Sequence, residues 1–308
     1  MKAVRLIPKD PPAAYWAARR RYIGGSDIAR LVAGDLWSVW GSKTGAAPTP
    51  DTEAMAWGRR LEAFVAQEWA ARHPEYRVRQ VHALLGHPHI PWMAASVDRM
   101  VYGPADGPYV LEIKTTGQVW DTVPDPYIAQ CLWYCAVTDA PRALLAVLVR
   151  GQRLEEYVVE RQPDLETALF NLGAAFWVRL QANDPPPLDA SAAARAWLLT
   201  LYPRAATTQY IDLPVEARAD LATFQAAQET IRHAAVVRDR AAAHLKAAIG
   251  EAAGAVADDL RLTWVRRTTR RLDQARLRAD HPDLAASYTT ETTEDGGLRL
   301  SPRKGGSS

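Results

Sequence analysis

The sequence predicts an α/β domain with a central mixed β-sheet flanked by helices, followed by a mainly helical appendage. Three observations carry this reading. Between residues 53 and 182, helical and strand-like apolar patterns alternate as helix, three strands, helix, two strands, helix. Ala143 to Val149 is a continuous apolar run, the pattern of a strand buried on both faces. Asn183-Asp184-Pro185-Pro186-Pro187 then interrupts all periodicity and reads as a linker. The expected organisation is a domain over 1–182, a Pro-rich linker over 183–189, a helical region with a small sheet over 190–300, and a disordered tail over 301–308.

The elements follow in order. Residues 1 to 12 form an extended arm, and Pro12 to Arg21 a helix. Ile23-Gly24-Gly25-Ser26 breaks it, and Ser26 or Asp27 caps a new helix through Val32. Gly34 to Asp51 is a Gly- and Pro-rich loop around a short helix. Glu53 to His73 has helical spacing at Met55, Leu61, Phe64, Val65, Glu68 and Trp69, and Pro74 stops it. Arg77 to Leu85, Trp92 to Tyr102 and Tyr109 to Thr115 read as strands separated by Gly/Pro turns. Pro126 to Val137 is a helix opened by proline. Strands at 143–149 and 152–160 turn about Gly151, and Asp164 to Ala182 is a helix. Beyond the linker come helices at 190–201 and 215–250, the latter with an apolar stripe suited to a helical partner or a subunit contact. Leu260 to Thr269 reads as a strand and Asp273 to Ala279 as a helix. Ser287 to Thr293 and Leu298 to Leu300 read as a hairpin about Gly296-Gly297.

Composition narrows the class. At 308 residues, 48% hydrophobic and 23% charged, the chain can bury a full core. No apolar run approaches the ~20 residues of a membrane span. The first residues lack the layout of a signal peptide, so a cytoplasmic protein without membrane attachment is expected. The net charge of +2 does not mark a nucleic-acid binder, but arginines cluster at Arg19-Arg20-Arg21 and over 266–271, enough for a locally basic groove. Cys131 and Cys135 share a helix face and read as buried free thiols, too few for a four-cysteine metal site.

The chemistry concentrates in two apolar runs. Asp98 ends one of them; the other leads into Glu112-Ile113-Lys114. Strand alternation puts Glu112 and Lys114 on one face and Ile113 in the core. Neighbouring strands then bring Asp98, Glu112 and Lys114 together at a sheet edge. Two carboxylates with an ammonium suit a hard divalent cation and an activated water, the chemistry that cuts phosphodiesters.

Asp98 with Glu112-Ile113-Lys114 resembles the D…ExK core of the PD-(D/E)xK nuclease superfamily. The set is wider than that core. Arg19 with Ile23-Gly24-Gly25-Ser26-Asp27, Gly58-Arg59-Arg60-Leu61-Glu62, Leu111 to Thr116, and Tyr127-Ile128-Ala129-Gln130 with Tyr134 occur in the order found in YqaJ-like, phage λ exonuclease-type recombination nucleases. The resemblance covers residues 12–182. It implies a restriction-endonuclease-like core and a metal-dependent exonuclease that digests linear duplex DNA 5′→3′, leaving single strand for recombination. It further implies Mg²⁺ or Mn²⁺ held by Asp98 and Glu112 with Glu62 and the Ile113 carbonyl, Lys114 orienting the attacking water and steadying charge at the scissile phosphate, and Gln130 bonding that water or a DNA phosphate. Arg19, Ser26 and Tyr127 would contact DNA, the first two at a 5′ phosphate. The implied partners are duplex DNA ends, a single-strand annealing protein and a homotrimer. Rival readings are a related endonuclease or repair nuclease, and a non-catalytic DNA-binding phage protein.

Some features stay outside the set. His82, His87 and His89 read as parts of a turn. Trp264, Arg266, Thr268 and Arg270 fit equally a strand tracking phosphates or a solvated edge. Arg20 and Arg21 can assist Arg19 or be solvated.

Overall fold

The computed structural model describes residues 3–10, 12–45, 52–103, 107–202, 210–265, 267–290 and 297–301. The chain divides into two compact units, Met1–Ala205 and Ala206–Ser308.

The first unit runs β1 (Val4–Pro8), α1 (Pro12–Arg19), α2 (Gly25–Val32), α3 (Leu36–Thr44), α4 (Glu53–Arg72), β2 (Arg77–Gln80), β3 (Ala83–Gly86), β4 (Ala94–Ala95), β5 (Arg99–Tyr102), β6 (Tyr109–Thr116), α5 (Asp125–Thr138), β7 (Arg142–Val149), β8 (Arg153–Glu160), α6 (Pro163–Gln181) and α7 (Ala192–Leu201). Its main sheet has the order β2-β5-β6-β7-β8. Only β6 and β7 pair in parallel, because α5 carries the chain back between them; the other neighbours are antiparallel. This is the mixed central sheet between helices that the sequence predicts.

Strand alternation sorts the residues of β6 and β7 between two cores. Leu111, Ile113, Ala146 and Leu148 pack under α4 against Val65, Ala66 and Trp69. Val110 faces the other way, into a larger cluster with Ala129, Leu132 and Trp133 of α5. Glu112 and Lys114 share the face of Val110 by the same period of two, so they lie on the α5 side.

Two expected strands are each broken in two. Residues 77–85 split at Val81-His82: β2 joins β5 in the main sheet, while β3 pairs with β1 and β4 in a separate three-stranded sheet. Residues 92–102 split at Ser96-Val97-Asp98 into β4 and β5 for the same reason. An apolar run shows that both halves are buried but not that they serve different sheets. The expected extended arm is β1, tied to β3.

The expected linker lies within the first unit. Trp37 of α3 is 1% exposed and its Nε1 donates to the Pro187 carbonyl at 2.9 Å. Trp197 of α7 packs on the same indole, ring centroids 4.7 Å apart, and Ala194 is fully buried. Prolines here give a stiff strap, so the boundary moves from 183–189 to about Ala205. A chain cut after Gln181 is therefore expected to melt well below one cut after Tyr202, since an uncovered tryptophan leaves about 2–3 kcal/mol of apolar burial unmade. Equal melting temperatures in calorimetry would mean that α7 contributes nothing to this core.

The second unit comprises a 3₁₀ turn at Val215–Ala217, α8 (Arg218–Ile249), a hairpin of β9 (Gly254–Ala257) and β10 (Leu260–Thr263), α9 (Gln274–Asp280) and α10 (Pro282–Ser287). The expected basic strand ends at Thr263: Trp264 still donates its amide to the Ala253 carbonyl at 2.9 Å, and the described residues beyond it, 265 and 267–270, form no strand. Of the expected hairpin about Gly296-Gly297, Ser287 instead ends α10 and the described residues 288–290 and 297–300 form no strand, while 291–296, like 302–308 of the tail, lie outside the described residues. Among the described residues no helix is long and apolar enough to cross a membrane.

Candidate active site

The site forms on β6, the middle strand of the main sheet. This corrects the expected sheet edge: the β6–α5–β7 crossover places β7 and β8 beyond it. Arg99 pairs with Leu111, so Asp98, one residue earlier, falls beside Glu112. The Ile113 amide donates to Asp98 Oδ2 at 3.0 Å and fixes that carboxylate. Lys114 Nζ lies 2.7 Å from Glu112 Oε1 and donates to Gln130 Oε1 at 3.1 Å. Gln130 Nε2 donates to Glu112 Oε1 at 2.6 Å and to the Tyr134 hydroxyl at 3.0 Å. The i, i+3, i+4 spacing of Tyr127, Gln130 and Tyr134 puts them on one face of α5. Tyr127 sits under Lys114, its ring centroid 5.2 Å from Nζ.

Electrostatics follow from this packing. Burial pushes the Asp98 carboxyl well above the usual range, and the nearby charges of Glu112 and Glu62 add to it; Lys114 opposes them. Burial alone would lower the Lys114 pKa, but Glu112 and then Asp98 outweigh it and hold the ammonium above its ordinary value. Burial, reinforced by Glu112 and Asp98, likewise keeps the Tyr134 phenol protonated.

The donor set fits a hard divalent cation. Glu112 is 2% exposed, yet its Oε2 has no hydrogen-bond partner. A buried carboxylate oxygen without a partner is costly, and a cation between Glu112 and Asp98 would satisfy it and quench their repulsion. Glu62 of α4 reaches toward Asp98 but is held by Arg99, Nη1 to Oε1 at 2.5 Å. Among the described residues no three His, Cys, Asp or Glu side chains form a closed cage. Glu62 would have to leave Arg99 to become a third ligand.

A second corner lies at the start of α2. Arg19 Nη2 donates to Ser26 Oγ at 2.7 Å. Beneath them, Lys43 of α3 pairs with Asp27 at 2.5 Å and donates to the Arg19 carbonyl at 3.1 Å. Burial pulls the Lys43 pKa down, with Asp27 opposing. Asp27 also accepts from the Gly24 amide at 2.8 Å, which makes Gly24 the cap and starts α2 one residue before Ser26. The two corners meet at Tyr134: a Cβ on Gly25 would stand 2.4 Å from its ring.

These positions fall within a stretch that resembles a known family. Residues 14–141 match the family model of the YqaJ-like viral recombinase domain. The YqaJ protein of Bacillus subtilis strain 168, itself uncharacterized, is 28% identical over 289 residues, covering 89% of each chain. Among solved structures, the alkaline exonuclease LHK-Exo of Laribacter hongkongensis is 19% identical, with a TM-score of 0.45 over 56% of this chain and 94% of that one. A phage-related exonuclease of Haemophilus somnus 129PT is 11% identical, with a TM-score of 0.37 over 55% and 81%.

The matched stretch contains every site residue singled out in the sequence. It brings together Asp98, Glu112, Lys114, Gln130 and Tyr127 in one cluster and Arg19 and Ser26 in another. Two further residues join them. Arg99, 6% exposed, holds Glu62; its place directly after Asp98 was the available signal. Lys43 has no such signal, since it lies in a stretch read as loop. The histidines have a structural role: His87 Nδ1 accepts from the amides of His89 at 3.2 Å and Ile90 at 3.1 Å, closing the turn. Cys131 and Cys135 are buried free thiols.

Proposed function

We propose that this chain is a metal-dependent deoxyribonuclease of the exonuclease kind, acting on linear duplex DNA from a 5′ end and leaving single strand for recombination. The observation that carries this is the buried, unpartnered Glu112 Oε2 beside Asp98 and Lys114, within the stretch that matches the YqaJ-like viral recombinase model. When bound, Mg²⁺ or Mn²⁺ would supply Lewis acidity and a more acidic water. Asp98 and Glu112 would hold the ion, with Glu62 and the Ile113 carbonyl as the further candidates.

The chain's own groups do the rest. The Ile113 amide stops Asp98 from rotating away. Gln130 fixes Glu112 Oε1 and leaves Oε2 free. Lys114, held charged by Glu112, presents its ammonium to the scissile phosphate and steadies charge that builds there. Tyr127 supports the Lys114 stem from below. Arg19 and Ser26 provide a fork of donors and a hydroxyl for a terminal phosphate, and Lys43, paired with Asp27, lies beneath them. A single-strand annealing protein and a trimeric assembly are the partners this reading entails.

Duplex DNA labelled separately at each end tests it, beside a covalently closed circle. Mg²⁺-dependent release from 5′ ends, abolished by EDTA and sparing the circle, is expected. Removing the 5′ phosphate is expected to slow digestion by roughly ten- to a hundredfold, the worth of one or two charge-assisted hydrogen bonds. Cutting of the circle would make this an endonuclease, and equal rates on both kinds of end would reject the phosphate corner.

A further inference from the structure

Trp16 is 54% exposed, although it stands in α1 next to Tyr15, which is 5% exposed. Tyr15 is anchored from inside by its hydroxyl contact with Ser96. The helix register is thus fixed, and the indole is held outward. Arg19, one turn later, lays its guanidinium over the ring, with Cζ 5.2 Å from the centroid. The same guanidinium donates to Ser26. The indole therefore stands one guanidinium away from the corner assigned to a terminal phosphate. Arg20 and Arg21 follow, both exposed, so the surroundings are cationic.

An exposed aromatic face beside a phosphate-binding cation suits an unpaired nucleotide, whose base stacks on the ring while its backbone follows the charge. A tryptophan already restrained by a neighbour loses little freedom when a base stacks on it. Four other tryptophans, Trp37, Trp40, Trp69 and Trp133, are buried at 1–3% exposed, whereas Trp16 leaves a large apolar face in water.

We propose that Trp16 is the stacking platform for the base of the 5′-terminal nucleotide, which it holds while Arg19 holds the phosphate. This rests on the exonuclease reading above. Trp16 binds and orients; it moves no proton and touches no reacting atom. Stacking on a π-face is tolerant of sequence, so the platform accepts all four bases.

The test compares two duplexes with the same 5′ phosphate, one ending in an ordinary nucleotide and one in an abasic tetrahydrofuran residue. Wild type, Trp16→Ala and Trp16→Phe are assayed for the first excision. Trp16→Ala is expected to lose about tenfold or more in kcat/KM on the base-bearing end, as loss of one base–aromatic stack implies, and to match wild type on the abasic end. Trp16→Phe is expected to recover most of the loss. A defect of equal size on both ends would overturn the proposal, because Trp16 would then act only by holding Arg19 or the fold. No defect on either end would overturn it as well. Failure of wild type to release any 5′ nucleotide is a separate result, which removes the exonuclease reading itself.

Discussion

Glu112→Gln is expected to lose cleavage of linear duplex DNA by about a thousandfold or more while remaining folded. The amide has the shape of the carboxylate. Its oxygen can still accept from Lys114 and Gln130, the contacts Glu112 Oε1 makes now. What disappears is the charge and the free Oε2, the two properties a divalent cation needs. Two effects on stability oppose each other. Lys114 loses its carboxylate partner, while Asp98 loses the largest neighbouring charge that raises its pKa. The melting temperature is therefore expected to stay within a few degrees of wild type. Millimolar Mn²⁺ should raise that temperature for wild type and not for the variant. Near-wild-type cleavage by purified Glu112→Gln would sink the catalytic assignment.

Gly25→Ala is the second large effect, and it is structural first. The new methyl would stand 2.4 Å from Tyr134 Cε1 and 2.9 Å from Cδ1 and Cζ. Tyr134 is 3% exposed and bonded to Gln130, so the ring has no free direction. Overpacking of this kind costs about 1–3 kcal/mol, or about 2–12 °C in a unit of this size. Activity is expected to fall further than stability alone implies, because a displaced Tyr134 drags Gln130 off Glu112. Gly24→Ala is the control. Its Cβ would meet nothing closer than Asp27 Oδ2 at 3.4 Å, an ordinary contact, so it should change stability by less than about 1 kcal/mol. Equal melting temperatures for the two variants would show that the α2–Tyr134 contact is not tight.

Much of the site was legible because its geometry is local. The period of two in Leu111-Glu112-Ile113-Lys114 assigns faces without any knowledge of neighbours. The spacing from Tyr127 to Gln130 to Tyr134 does the same for α5. Asp98 was found as the end of an apolar run, but its place in the sheet was misjudged. Strand order depends on a crossover that no local pattern reveals, so the site was expected at an edge and sits at the centre. Lys43 and Arg99 were missed for a related reason. Each acts through a partner far away in sequence, Lys43 through Asp27 and Arg99 through Glu62, and only folding joins them. Trp37 was silent too: nothing in 183–189 says that a proline carbonyl will accept from an indole 150 residues earlier.

The first turn of α2 rests on Tyr134, Tyr134 on Gln130, and Gln130 on Glu112. No loop lies along that path. The Arg19–Ser26 corner and the Glu112–Lys114 corner are joined by packed helix and bonded side chains. If, as proposed, one corner holds the end of a strand and the other the bond to be cut, the path between them acts as a gauge. On the proposed exonuclease reading, such a spacing would set the length of the piece removed, and changing that length would call for a rebuilt core rather than a looser surface.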